Sequence, residues 1–304
     1  SSVVLLPRLG VNYLSSLGRP RLQLAVSPNG RYLVDGYGVP FQLRGDSPWT
    51  MPVQLTREEV VSYLDNRRLK GFNAILLETI EVNDGYGDTA PANAYGDSPF
   101  AGSNFTTFTE AYWQHIDYIV SQAEVRGIVV LMCAMYLGAS GGSEGWYSAA
   151  VSAGEADVQT YGEFLGARYR NSPNIIWVNG GDYRPPTLAI PNALATGILN
   201  RDNRHLFTSH WARPSTGTDG SPSWLTLNSS YTQETNVSSR ILTDYQTTTN
   251  IPTFLIESYY EGSFAGQPTL SAQDSTREAC QSILSGAGGH VYGNHTVWPF
   301  DTGW

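Results

Sequence analysis

The chain of 304 residues has little cysteine, little lysine and no long apolar run. Its two cysteines, Cys133 and Cys280, are too few for a disulfide scaffold and have no metal-ligand spacing around them. Each lies in an apolar or helix-like stretch and reads as a buried thiol, with a bridge between them as the minor alternative. Lys70 is the only lysine, which sets aside Schiff-base and pyridoxal chemistry. Nowhere do apolar residues run for the roughly 18 positions that a membrane helix needs. The first seven residues are short and lack a basic leader, so they do not read as an intact signal peptide; a first residue other than Met is expected of a processed chain. Basic residues number 18 against 27 acidic ones, and the net charge of −9 excludes a surface built for nucleic-acid phosphates. No Gly-x-Gly-x-x-Gly follows the first strand and no Gly-x-Ser-x-Gly elbow follows any strand, so neither a dinucleotide site nor a serine hydrolase is expected.

What is present points to a packed, aromatic-rich enzyme scaffold. The hydrophobic fraction of 41% supports a sizeable core. Eight Trp and an aromatic share of 12% supply flat apolar surface, which either fills the outer layers of a barrel or stacks on sugar rings. Four Asn-x-Ser/Thr sequons occur, at Asn104, Asn228, Asn236 and Asn294; Asn228 and Asn294 are expected to lie too near strand ends for glycosylation.

Strand and helix patterns alternate along the chain. A hairpin signal over 23–39, around Ser27-Pro28-Asn29-Gly30, predicts a small β extension across 1–40. Over 41–304 the strand-like runs are 41–46, 72–79, 128–134, 175–178, 205–210, 224–228, 253–256 and 289–293. Seven helix-like segments intervene, among them 56–69, opened by a Thr56/Glu59 capping box, and 155–169. Residues 81–107 and 137–153 are expected to be long functional loops. Eight strands with intervening helices predict an α/β fold, a (β/α)8 TIM barrel forming a single domain.

In such a barrel all strand carboxyl ends open on one face, so strand-end residues are pocket candidates. They are Asp46, Glu78 or Glu81, Tyr136, Asp182, His210, Asn228, Glu257 and His290. Two stand out. Asp182 ends an apolar run after Gly180-Gly181, where missing side chains let the backbone turn sharply; its bland reading is a helix cap. Glu257 ends a run with no other charge, and must be paired, protonated or exposed to a solvated cavity; its bland reading is an ion pair with Arg44 or Arg213. Two carboxyls of unlike ionisation are the minimum equipment for cleaving a glycosidic bond. Strands four and seven lie across a closed ring, so these two acids would face each other. Trp49, Tyr136, Trp211, Tyr259, Tyr260 and Trp298 fall on strand-end loops as stacking candidates, and Glu261 as a substrate-binding rival to Glu257. Asp46 is read either as a ligand of sugar hydroxyls or as one half of a local ion pair with Arg44. His210 and His290 would contact hydroxyls or hold a carboxylate in place; no His-x-His or similar cluster suggests a metal, and no cofactor is expected.

Four motifs resemble the apiosidase-like glycoside hydrolases: Arg44-Gly45-Asp46-Ser47-Pro48-Trp49, Trp177-Val178-Asn179-Gly180-Gly181-Asp182-Tyr183-Arg184-Pro185, Glu257-Ser258-Tyr259-Tyr260-Glu261-Gly262 and Gly286-Ala287-Gly288-Gly289-His290-Val291-Tyr292-Gly293. The segment Ala111-Tyr112-Trp113-Gln114-His115-Ile116-Asp117 is similar as well, and the match runs in order over 34–298. The resemblance implies a (β/α)8 retaining glycosidase with Asp182 as acid/base, Glu257 as nucleophile and Tyr183 among the substrate-binding residues. Characterised members of the family remove apiose from a pectic side chain, and many carry a C-terminal β-domain, so this sequence reads as a bare catalytic module. The expectation is a secreted or periplasmic monomer that acts on plant or microbial oligosaccharides or polysaccharides and uses no nucleic acid or membrane partner. The rival readings are a non-catalytic glycan-binding barrel, a transglycosylase using the same acids, and a metal-assisted hydrolase using Asp46, His210 and His290.

Overall fold

The computed structural model describes residues 20–81, 92–102, 104–233, 237–263 and 269–304. The opening heptapeptide, residues 82–91 of the first long loop and the sequon at Asn236 lie outside them. Eight strands carry the architecture: β1 (Leu43–Asp46), β2 (Ala74–Glu78), β3 (Val129–Tyr136), β4 (Ile175–Gly180), β5 (Leu206–His210), β6 (Asn228–Tyr231), β7 (Thr253–Glu257) and β8 (Gly289–Tyr292). They pair in parallel in the order β5-β4-β3-β2-β1-β8-β7-β6, the curled sheet of a TIM barrel. Residues 20–42 include a separate three-stranded antiparallel sheet (Ala25–Val26, Leu33–Val34, Pro40–Phe41), one strand more than the hairpin expected.

Because β2, β3, β4 and β7 are buried on both faces, their sequences run nearly without polar interruption. Leu43, Leu76, Leu131, Val178, Phe254 and Val291 fill the barrel interior, while Ile75, Leu77, Val130 and Trp177 pack outward on the helices. Each such side chain contributes about 1.5–3 kcal/mol on burial. The helix layer is α1 (Met51–Gln54), α2 (Arg57–Leu69), α3 (Glu110–Val125), α4 (Tyr147–Ala153), α5 (Glu155–Tyr169), α6 (Ala189–Arg201), α7 (Val237–Thr247) and α8 (Ala272–Leu284). The Thr56/Glu59 capping box opens α2, and an equivalent Ser271/Asp274 box opens α8. None of the described helices is long and apolar enough to cross a membrane.

Several expectations need correction. No helix joins β5 to β6 among the described residues; Ser215–Thr216 instead pairs antiparallel with β6. β5 and β6 share no strand ladder. The amides of Thr226 and Leu227 donate to the Phe207 carbonyl, each at 3.0 Å, and the Ser229 hydroxyl donates to the Ser209 carbonyl. The sixth strand begins at Asn228, where the apolar pattern had placed its end. Residues 137–153 are not all loop, since they contain α4. Both cysteines are free, and Cys280 is exposed on α8 rather than buried.

The helices that precede and follow the strand leading to Asp182 pack directly on each other. A Cβ on Gly197 of α6 would stand 2.1 Å from the Gln159 carbonyl oxygen of α5, and one on Gly162 would stand 2.4 Å from that of Leu194. Only hydrogen at these positions lets the two backbones come so close. Gly197→Val should therefore lower stability by about 1–3 kcal/mol, read as a fall of several degrees in Tm, whereas Gly288→Ala, where a Cβ meets nothing nearer than 3.7 Å, should cost much less.

Candidate active site

The carboxyl end of β4 makes an unusual turn. Gly180, Gly181 and Asp182 all have positive φ, at 106°, 101° and 50°. A side chain at Gly180 would meet the His210 carbonyl oxygen at 2.5 Å, and one at Gly181 the Tyr136 ring at 2.4 Å. Glycine is needed at both on two counts, conformation and space. The next residue is an aspartate that tolerates the left-handed region, in a position of stored strain that is common at functional sites. The Gly181 amide donates to the His210 carbonyl at 2.7 Å and the Asp182 amide to His210 Nδ1 at 2.9 Å. Asp182 thereby points over the mouth, with 28% of its side chain exposed.

Glu257, at the end of β7, faces it with 11% side-chain exposure. Its Oε2 lies 2.7 Å from His210 Nε2, and its Oε1 accepts from the Tyr231 hydroxyl at 2.9 Å. These neighbours replace the arginine partner considered for it. Tyr136 donates from its hydroxyl to Asp182 Oδ2 at 3.3 Å. One carboxylate oxygen of each acid and one ring nitrogen of His210 lie within 4.8 Å of one another. Burial, then the charge of Glu257, push the Asp182 carboxyl up to about 6, against the opposing pull of His210, Tyr231 and Tyr136.

His210 is fully buried. Burial lowers its pKa, but Glu257 and then Asp182 outweigh that and raise it. The geometry argues for the neutral ring. A backbone N–H can only donate, so Nδ1 is an acceptor and the single ring proton sits on Nε2, directed at Glu257. Asp182, His210 and Glu257 are also close enough for their ligand atoms to surround a cation. Their donor set fits one poorly, because the Nδ1 lone pair is taken and Nε2 carries the proton.

Around the pair, Trp49 meets His210 edge to face at 5.2 Å and Tyr136 at 5.9 Å, and its Nε1 donates to the Tyr260 hydroxyl at 2.7 Å. Trp298 packs in the same buried group. Glu261 stands on the rim and accepts from Tyr292 at 2.8 Å, and Tyr259 is half-buried after β7. Tyr183 meets Tyr147 edge-on at 5.0 Å, beside Gly141.

Four candidates sit elsewhere. Asp46 follows Gly45, whose would-be Cβ meets Val291 of the barrel interior, so Asp46 faces the helix layer. There it pairs with Arg67 at 2.7 Å, not Arg44, and accepts from Tyr63. His290 pairs in register with Arg44 and Leu255, the latter packed under α7, so it too faces away from the pocket, and burial lowers it to about 4. The proposed Asp46–His210–His290 metal set is thus dispersed. Asn228 lies at the amino end of β6, bonded to Thr216 and Thr253. Trp211 is buried packing against Gly180 and donates to the Gly217 carbonyl. Tyr231 was missed because the sixth strand had been set four residues early; a strand over 228–231 would have ended on it.

Glu78, on β2 beside Cys133, points inward. It is 2% exposed and neither carboxyl oxygen has a hydrogen-bond partner. Burial first and then Glu81 raise it well above the carboxylate range. A raised folded-state pKa stabilises fully below the unfolded value and is lost as pH climbs through the folded one. Glu78→Gln should therefore raise Tm more at about pH 8 than at about pH 4. Equal shifts in thermal melts at the two pH values would contradict a protonated Glu78.

The fold and the opposed acids define a class, the barrel glycoside hydrolases. The chain belongs to the apiosidase-like family, whose catalytic-domain model matches residues 27–303. A glycoside hydrolase family 5 protein from Bacteroides vulgatus is 28% identical with a TM-score of 0.78, over 91% of this chain and 63% of that one. A further structure titled only as a glycoside hydrolase is 26% identical with a TM-score of 0.76, over 93% and 68%. A family 5 mannosidase from Rhizomucor miehei shares the fold at 9% identity and a TM-score of 0.65, over 90% and 85%. The chain thus spans less than two thirds of the first of these. A comparison with curated proteins returned no match.

Proposed function

We propose that this chain is a retaining glycoside hydrolase acting on plant or microbial glycans, with Asp182 as acid/base and Glu257 as nucleophile. The carrying observation is the approach of the two carboxyls, whose oxygens come within 4.8 Å. Retaining enzymes hold their acids about 5–5.5 Å apart, whereas inverting ones need about 6.5–9.5 Å to admit a water. The two environments suit unlike roles. Asp182 keeps its proton up to about pH 6, while Glu257 accepts two hydrogen bonds, one on each oxygen. Protonated Asp182 donates to the leaving oxygen as Glu257 attacks the anomeric carbon. Asp182 then deprotonates the water that releases the sugar. Family membership supports this chemistry and makes apiosides the first substrates to try. A polymeric glycan would meet the enzyme in the periplasm or outside the cell, and a monomer suffices for a site built from one chain.

Purified protein should release sugar from arrayed oligosaccharides, apiosides included, with the anomeric configuration of the first product retained by NMR. Asp182→Asn should lower kcat/KM by on the order of 10²–10⁴, and Glu257→Gln by at least as much, with Tm nearly unchanged. Full activity in both variants would remove the assignment. Because the acid must be protonated, kcat/KM should fall as pH rises through about 6; a flat profile from about pH 5 to 8 would contradict that role.

A further inference from the structure

We infer that His210 is a positioning residue with a separate task for each ring nitrogen: Nδ1 fixes the turn that aims Asp182, and Nε2–H orients the carboxylate of Glu257. The inference rests on the hydrolase reading for its kinetic meaning but not for its structural content.

His210 ends β5, while the acids it serves follow β4 and end β7. Its carbonyl accepts from Gly181 at 2.7 Å and its Nδ1 from Asp182 at 2.9 Å, so two successive amides of the strained turn are held by one residue. The φ of 50° at Asp182 costs energy, and hydrogen bonds on the turn itself are what can maintain it. The opposite edge of the ring lies 2.7 Å from Glu257 Oε2. The ring cannot swing. It is fully buried, Trp49 meets it edge to face at 5.2 Å, and Tyr231 packs on it at 4.9 Å. The ionisable groups facing it are Asp182, Glu257 and Tyr231, and the Tyr231 hydroxyl holds the other oxygen of Glu257. A rigid plate bonded on both edges thus sets the separation of the acids, on which retention depends. Full protonation would place an Nδ1–H against the Asp182 N–H and break the turn's bond, so the ring must stay neutral while the enzyme works.

Two substitutions separate the tasks. Asn places an oxygen near the Nδ1 position but reaches no further, so His210→Asn keeps the acceptor for Asp182 and loses the donor to Glu257. Gln places its amide near Nε2, so His210→Gln keeps the donor and loses the acceptor. With 4-nitrophenyl and 2,4-dinitrophenyl glycosides, His210→Asn should lower kcat/KM by about 10- to 100-fold on both leaving groups, the loss of one hydrogen bond to a charge. His210→Gln should show a loss that shrinks with the dinitrophenyl group, which needs little protonation. Equal losses in both variants, independent of leaving group, would reduce His210 to packing and overturn the division of tasks.

The tautomer provides a readout that needs no substrate and no variant that folds poorly. Histidine ¹H–¹⁵N NMR of the wild-type chain, with His210 assigned from the Asn variant or by its contact to Tyr231, should show a protonated Nε2 and an acceptor Nδ1 from about pH 5 to 7. A doubly protonated ring across that range would overturn the inference. Full activity in Asp182→Asn and Glu257→Gln would instead sink the hydrolase reading while the NMR result stood.

Discussion

Both acids at the mouth are tied to one buried imidazole. The amide of Asp182 reaches one nitrogen of His210 at 2.9 Å and the carboxyl of Glu257 lies 2.7 Å from the other. The rest of the molecule serves that pair of bonds. The glycines of α5 and α6 let those helices pack backbone to backbone on either side of the strand in sequence, Gly180 and Gly181 permit the turn, and Trp49 meets the ring edge to face while Tyr231 packs on it at a tilt. The surroundings of the two acids differ: Asp182 is raised by burial and its neighbour's charge, and Glu257 receives two donors.

Much of this was legible in the sequence where periodicity and chemistry agreed. The runs leading to Asp182 and Glu257 are apolar and bounded, and the capping box at Thr56 places α2 as observed. The strand-end rule failed where side-chain parity mattered. Asp46 and His290 lie at or near strand ends, but the residues beside them, Gly45 and Val291, take the inward direction. A list of terminal residues cannot distinguish the two faces; counting alternation back from the interior Leu43 would have done so.

The β5–β6 region was misread for a different reason. Trp224, Leu225 and Leu227 look like a strand, whereas the strand itself is Asn228-Ser229-Ser230-Tyr231. A polar sequence becomes a buried strand here because each side chain has a partner: Asn228 with Thr216 and Thr253, Ser229 with the Ser209 carbonyl, Ser230 with Asp244. Those partners are far away in the chain, and no local pattern announces them. Tyr231, which bonds the proposed nucleophile, was hidden by the same error.

The missing ladder between β5 and β6 gives the His210–Glu257 contact a second meaning. β5 carries the imidazole, and β6 and β7 carry Tyr231 and Glu257, so the contact spans the one pair of neighbouring strands that shares no ladder among the described residues. The bond that positions the two acids is therefore also a clasp that ties β5 to the β6–β7 side of the barrel, alongside the Ser229 hydroxyl on the Ser209 carbonyl.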